Sequence, residues 1–281
     1  MPFYLDGNEI LRWSELERWP WLVHGFSTRA AGNLGRSTGN PDRPLEHNQR
    51  KFVGLAGGNR MKLLKLRQVH SSLARVVHGR TVSGLAGDSL LTRQHGLLLG
   101  IKTADCLPIL LVDSRQRAVG AVHAGWRGAV RRVAEKAVGE MRLRFGCDPA
   151  DLHAAIGAGI QACCFQVGSE VLDEFACQFV DADQFCRRET PNPALCMLPR
   201  QILTDGNRPF DWQAAARGNV DLAEANRRQL LAAGLPAGQI YNAGLCTACD
   251  REWFYSHRRE KEAAGRMLAV IGVRGDASAR S

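Results

Sequence analysis

No stretch of this 281-residue chain approaches the roughly 20 consecutive apolar residues that a membrane helix needs, so no membrane partner is expected. The amino terminus, MPFYLDGNEILRW, lacks a basic start followed by an apolar stretch, which argues against a secretory leader. A block of Lys and Arg is missing as well. The net charge of +9 is spread over scattered pairs such as Arg131-Arg132, Arg187-Arg188, Arg227-Arg228 and Arg258-Arg259. The three tyrosines form no stacking stripe, so nucleic acid is not an expected partner. A small anion such as phosphate suits the charge and needs fewer residues. Internal repeats, low-complexity tracts and an obvious linker are lacking too, as are a GxGxxG turn and a P-loop. No HxH pair occurs among the eight histidines.

What is present is ordinary globular composition, 45% apolar and 23% charged, ample for a sizeable core. Nine cysteines, an odd number without secretory features, point to reduced thiols and a cytoplasmic location. The first 50 residues read as irregular apart from a strand near Leu22–Ser27. Short apolar runs at Leu97–Thr103, Leu107–Val112 and Ala118–His123 read as buried strands bounded by turn residues. Apolar residues recurring every three to four positions, Val130, Val133, Ala137 and Met141, predict one helix from Gly128 to Phe145 that stops at Gly146. A strand over His153–Gly159 and a helix over Glu170–Phe179 follow. Residues 181–218 read as an excursion with short elements. Asn219 is the expected N-cap of a helix over Asp221–Ala233 that ends at Gly234 with Pro236 beyond. Ile240–Leu245 and Met267–Val273 read as strands, and the tail 275–281 as disordered. The sum is an α/β chain forming a single domain over 1–281, with mixed β-sheet flanked by helices.

Three residues at the edges of apolar runs carry most of the chemistry: His70 in LKLRQVHSS, Cys106 in GIKTADCLPILLVD and His123 in RAVGAVHAGWRG. Two imidazoles and a thiolate make a three-ligand set for a borderline-soft metal, with a fourth position left for water or substrate. Taken singly, each is equally explained as a packed core residue. Zinc suits the set; copper is possible, since two His and a Cys are also a blue-copper ligand set, but the lack of HxH pairs argues against an oxygen-reducing copper cluster. Gly125-Trp126-Arg127-Gly128 follows His123 as a strand-to-helix turn where an anion could sit, with Arg127 pairing to phosphate, or as a plain tight turn. Asp105, directly before Cys106, is a candidate proton-transfer group or an orienter of a ligand histidine. Gln68, two residues before His70, could bind a substrate amide or hydroxyl. Ser256 and Arg258 of SHRR suit phosphate or ribose, or a solvated loop. Cys246 and Cys249 form a lone CxxC without a second pair nearby in sequence to complete a zinc site, and Cys163-Cys164 reads as packing in a tight turn.

With these residues in place the chain resembles the YfiH-like family, also labelled laccase-domain or polyphenol oxidase and described as purine nucleoside phosphorylase. The resemblance runs from HGFSTR at 24–29 through QVH, TADCLPILLVD, AVHAGWRG, GAGIQACCFQVG, VDLAEANRRQL and CTACD to FYSHRRE and GRMLAVI. It implies zinc held by His70, Cys106 and His123, and an α/β fold related to cysteine-hydrolase-like toxins. It also implies phosphorolysis of adenosine, inosine, guanosine and methylthioadenosine with adenosine deamination; Asp105, as proton handler, and Cys106 are the expected catalytic residues. Arg29 of HGFSTR joins Gln68, Arg127, Ser256 and Arg258 as expected substrate or phosphate contacts. The partners implied are a purine nucleoside and phosphate, in a monomer or small homo-oligomer. Alternatives are an amidase or hydrolase that edits peptidoglycan precursors with Cys106 as nucleophile and His123 as base, a copper-dependent polyphenol oxidase, or a non-catalytic protein with a structural metal. The chain departs from the family in a shortened AAGNLG segment, in Gln161-Ala162 for Gly-Pro, in Gln166 for Glu, and in His257 for Tyr.

Overall fold

Seven-residue strands at Leu107–Asp113 and Ala118–Ala124 are buried at every position, so both of their faces must be covered. The computed structural model describes residues 2–35, 43–79, 84–189, 204–205, 208–209 and 217–275 and shows how. One six-stranded mixed sheet runs Phe3–Leu5, Leu11–Trp13, Leu22–Phe26, Met267–Val273, Leu97–Thr103, Lys62–Lys65. The second runs Ile240–Asn242, Leu152–Ile156, Leu107–Asp113, Ala118–Ala124, Ser89–Thr92, Ala74–Val76. Parallel pairing occurs only at the edges of the two sheets among their described strands. Leu99, Ile101 and Ile271 of the first sheet pack against Leu110, Val112 and Val119 of the second. The first sheet turns Leu98, Leu268 and Val270 outward onto the helix Arg43–Leu55, through Phe52 and Val53. The second turns Ile109, Leu111 and Val122 outward onto Val133–Phe145, Ser169–Gln178 and Leu222–Ala232. Helices therefore cover both outer faces, which is why the central strands read as continuous apolar runs instead of alternating ones.

The strands predicted at 97–103, 107–112, 118–123 and 267–273 and the helix near 170–179 are present within a residue or two, whereas the strand expected over His153–Gly159 runs Leu152–Ile156. Several expectations are corrected. The first 50 residues are not irregular: they add two strands and the start of a helix to the first sheet and its cover. The 240–245 strand ends at Asn242. Asn219 lies inside the strand Arg217–Val220, and Asp221 is the true N-cap, its carboxylate accepting from the Glu224 N–H at 2.9 Å. Most of the 181–218 excursion and residues 276–281 of the expected disordered tail lie outside the described residues.

The predicted helix over Gly128–Phe145 is also broken in two, Trp126–Val130 and Val133–Phe145, with Arg132 at φ 59° in the left-handed region. Periodicity does not register the break because buried Val130 and Val133 keep helical spacing across it. The break frees backbone groups, and a fully buried side chain from another helix takes them up. Gln229 donates to the Ala129 carbonyl at 2.9 Å and accepts from the Ala134 N–H at 3.2 Å. Replacing it by an apolar side chain of similar size leaves the buried Ala134 N–H without a partner, while the Ala129 carbonyl keeps the Arg132 N–H at 3.0 Å. Gln229→Leu is therefore expected to lower the unfolding free energy by about 1–3 kcal/mol for the group left unsatisfied, read as a fall in the urea midpoint at unchanged slope.

Candidate metal centre and its cavity

The hairpin of Leu107–Asp113 and Ala118–Ala124 pairs Pro108 with His123, so Cys106, one residue before the first strand, comes out beside His123 at the hairpin's open end. Ser89–Thr92 pairs on the other side of Ala118–Ala124 with Ser89 opposite Val122, which delivers Asp88 to the same place. Asp88 then carries His70 there. Its carboxylate accepts from the backbone N–H groups of Val69, His70 and Ser71 and from the Ser71 hydroxyl, at 2.7–3.3 Å. Nδ1 of His123 is its remaining partner, at 2.8 Å. Five donors on one fully buried carboxylate hold it ionised. Burial pushes its pKa up, but His123 and Ser71 outweigh that and bring it down to about 2.

The donor atoms of His70, Cys106 and His123 lie within 4.8 Å of one another. Bonds of about 2.0–2.3 Å in a tetrahedron separate such donors by roughly 3.3–3.8 Å, so the set can close on an ion with small adjustments. Asp88 occupies Nδ1 of His123 and leaves Nε2 facing the thiol, the arrangement that orients a ligand imidazole. Gly125 closes the cradle: a Cβ there would meet the Cys106 sulfur at 2.8 Å and His70 at 3.1 Å. Burial alone would raise the Cys106 pKa; the charge and hydrogen bond of His123, followed by His70, bring it down to about 6. Burial likewise opposes the charged form of His123, but Cys106 and Asp88 raise it to about 9. In the metal-free site the proton thus moves from sulfur to imidazole. A raised His contributes stability that is lost above its folded pKa, and a lowered Cys contributes stability that is lost below its own. Between pH 6.5 and 9 folded and unfolded pairs bind the same number of protons, so the two pH dependences cancel and the summed contribution is flat.

The set opens on a cavity of about 730 Å³. Asp105 lines it with a backbone at φ 91°, and its carboxylate accepts from the Thr247 hydroxyl at 2.7 Å and from the Arg258 N–H at 2.6 Å. Arg127 lines it with its guanidinium 4.2 Å above the Trp126 ring. The helix that Gly125 opens is only five residues long, which weakens the expectation of an anion held by a helix end. Arg258 lines the cavity too, its side chain tied to the Gln166 carbonyl at 2.8 Å.

Three other expected contact residues are engaged within the protein. Gln68 lines the cavity, but both ends of its amide are spent on the Lys102 backbone, at 2.8 and 3.0 Å, so it laces the His70 segment to the neighbouring strand. Ser256 is fully buried as the cap of His257–Glu260. Arg29 lies outside the cavity lining, pairing with Glu260 at 3.0 Å and stacking on Tyr255. Among the departures from the family, Gln166 turns to Glu189 at 2.9 Å, and Asn33 of the AAGNLG segment fixes the Arg266 N–H at 2.9 Å. Asp88, Lys102, Phe165 and Thr247 were missed by sequence reasoning. An acid before an apolar strand is a faint signal, and only the pairing of strands distant in sequence turns Asp88 toward His123.

The fold and site define a mixed α/β sandwich carrying a candidate two-histidine, one-cysteine metal-ligand set in the lining of a basic cavity. The chain belongs to the multi-copper polyphenol oxidoreductase laccase family, whose family model matches residues 23–274. It is 35% identical to a purine nucleoside phosphorylase of Deinococcus radiodurans over 262 residues, covering 90% of this chain and 89% of that one. It is also 35% identical over 218 residues to an adenosine deaminase, RL5, of an unknown prokaryotic organism, covering 74% of each. The structure is similar to that of the Bacillus licheniformis hypothetical protein YfiH, with a TM-score of 0.82 and 27% identity over 97% of this chain and 99% of that chain.

Two outcomes check the site. In chelated protein, alkylation of Cys106 followed by mass spectrometry should be half-maximal near pH 6 and lost below it. His123→Asn should move that midpoint up toward the ordinary thiol value. Asp88→Asn should weaken metal binding roughly 10–100-fold in competition with a chromophoric chelator, because His123 loses its orienting carboxylate.

Proposed function

We propose that this chain is a zinc-dependent purine nucleoside phosphorylase, with the ion held by His70, Cys106 and His123. The observation that carries this reading is the charge of the cavity. Arg67, Lys102, Arg127, Arg258, Lys261 and Arg266 line it beside a single carboxylate, Asp105, among the described residues. Such a wall favours a phosphate-sized anion next to a neutral co-substrate. Its volume is within the range of small-molecule sites. The names of relatives at about a third identity belong to the same class.

Arg127, stiffened by its stack on Trp126, offers a fixed two-pronged donor for phosphate. Arg258 offers a second, and Phe165 an apolar face for the base. Phosphate oxygen attacks the anomeric carbon, the glycosidic C–N bond breaks, and its electron pair leaves with the purine, which takes up a proton. Asp105, fixed by Thr247 and Arg258, is assigned to proton transfer, and the cationic wall holds both reactants in line. Such alignment contributes on the order of several kcal/mol. When bound, zinc would supply Lewis-acid stabilisation of developing negative charge. Adenosine deamination at the same site is the companion activity.

One observation favours a second reading. Asp88, His123 and Cys106 form a carboxylate–imidazole–thiol relay like that of a cysteine hydrolase. That chemistry needs a metal-free Cys106, so stoichiometric zinc lost in Cys106→Ala counts against it.

Adenosine, inosine and methylthioadenosine incubated with the protein, with and without phosphate and chelator, separate the activities by chromatography. Phosphate-dependent, chelator-sensitive release of free base is the expected result; no base release from any of the three overturns the assignment. Inosine formed from adenosine without phosphate would report deamination. Asp105→Asn is expected to lower turnover about 10²–10⁴-fold while the His70–Cys106–His123 ion is retained, and retained turnover would remove the role.

A further inference from the structure

Outside the cavity, four cysteines from two distant parts of the chain converge. The strands Leu152–Ile156 and Ile240–Asn242 lie side by side and parallel, so the loops that leave them emerge at the same end of the sheet. Gly159 and Cys246 form a bridge, with the Gly159 N–H donating to Leu245 and the Thr247 N–H to Gly159, each at 3.2 Å. That register sets Cys163-Cys164 of the first loop against Cys246 and Cys249 of the second. All four sulfurs lie within 4.8 Å of one another. The separations are 3.7 Å for Cys163–Cys164, 3.7 Å for Cys163–Cys249 and 3.4 Å for Cys164–Cys249.

These distances are far from the roughly 2.0 Å of a disulfide. They approach the edge of a tetrahedron of sulfurs around an ion with about 2.3 Å bonds, which is roughly 3.8 Å. Backbone N–H groups of Gln161, Ala248 and Cys249 point at the sulfur of Cys246, the buried member of the four. The lone CxxC of the sequence thus finds its missing pair in the turn assigned there to simple packing.

We propose that Cys163, Cys164, Cys246 and Cys249 bind a second divalent metal ion, zinc by the softness of the donor set, in a closed four-thiolate site. With four protein ligands no position remains for water, so the ion is structural. It staples the two loops that form one wall of the cavity. Ile160 and Phe165 of the first loop line that cavity, and Thr247, between the two ligands of the second, holds Asp105. Arg259 adds to the clasp by donating to the carbonyls of Thr247 and Ala248. The thiol protons leave to solvent as the ion binds.

Metal content and zinc X-ray absorption of the full chain test this. The wild type should carry two zinc ions per chain, falling to one in Cys106→Ala and to one in the Cys246→Ser/Cys249→Ser double variant. In Cys106→Ala, whose cluster is untouched, the remaining zinc should show an all-sulfur shell near 2.3 Å. That measurement stands even if the double variant fails to fold. No zinc in Cys106→Ala, or a shell containing nitrogen or oxygen, would overturn the site. So would a mass loss under non-reducing conditions that maps a disulfide to these four cysteines in protein purified anaerobically. None of these outcomes depends on nucleoside turnover.

Discussion

The buried carboxylate of Asp88 is the interaction on which the site depends. It sits where three segments meet, and each uses it as an anchor: the loop 69–71 through three N–H groups and a hydroxyl, the strand Ala118–Ala124 through His123, and its own strand through the ladder. An isolated ionised acid in such a place would be costly. Five donors remove that cost, and they do so only when His70 and His123 are in position. His70 has φ 55°, a conformation rare for a residue with a side chain, and the N–H groups on either side of it are held by the same carboxylate. Folding of the second sheet and assembly of the ligand set are therefore one event.

Covered sheet faces explain where the chemistry had to go. Helices pack on both outer surfaces and the sheets on each other, so the strand interiors carry mainly apolar side chains. Polar groups with a function are confined to strand ends and the loops beyond them. Cys106 precedes a strand, His123 is the penultimate residue of another, and Asp88 precedes a third. One end of the second sheet collects them all.

That geometry also explains what the sequence could and could not disclose. The central strands were legible because burial on two faces leaves unbroken apolar runs, and His70, Cys106 and His123 because each interrupts or borders such a run. Residues whose role depends on nonlocal pairing were not legible. Asp88 acquires its meaning from the register of Ser89 against Val122, Gln229 from a helix break that leaves the apolar period intact, and Cys163-Cys164 from strands adjacent in the sheet but distant in the chain. Local signals misled where a residue type suits two jobs. Gln68 and Ser256 could have met a ligand, but each finds a backbone partner instead. Asn219 and Asp221 are both good caps, and the strand preceding the helix decides between them.

The charge of the chain takes on a different meaning once the fold is known. Scattered along the sequence, the arginines gave no patch of the kind nucleic acid needs. Folding gathers Arg67, Arg127, Arg258 and Arg266 from three separate regions around one opening, with Asp105 the single acid among the lining residues described. Arg258 binds a carbonyl there, Arg266 two carbonyls and Arg127 an aromatic face, so these contacts leave the positive charge uncancelled. Arg29, by contrast, is neutralised by Glu260 and stands outside the lining. A cavity lined by six cationic side chains and one acid beside a thiolate–imidazole set concentrates attraction on a dense anion, and its apolar wall at Ile160 and Phe165 leaves room for a flat uncharged ring. Phosphate and a purine nucleoside meet both demands at once.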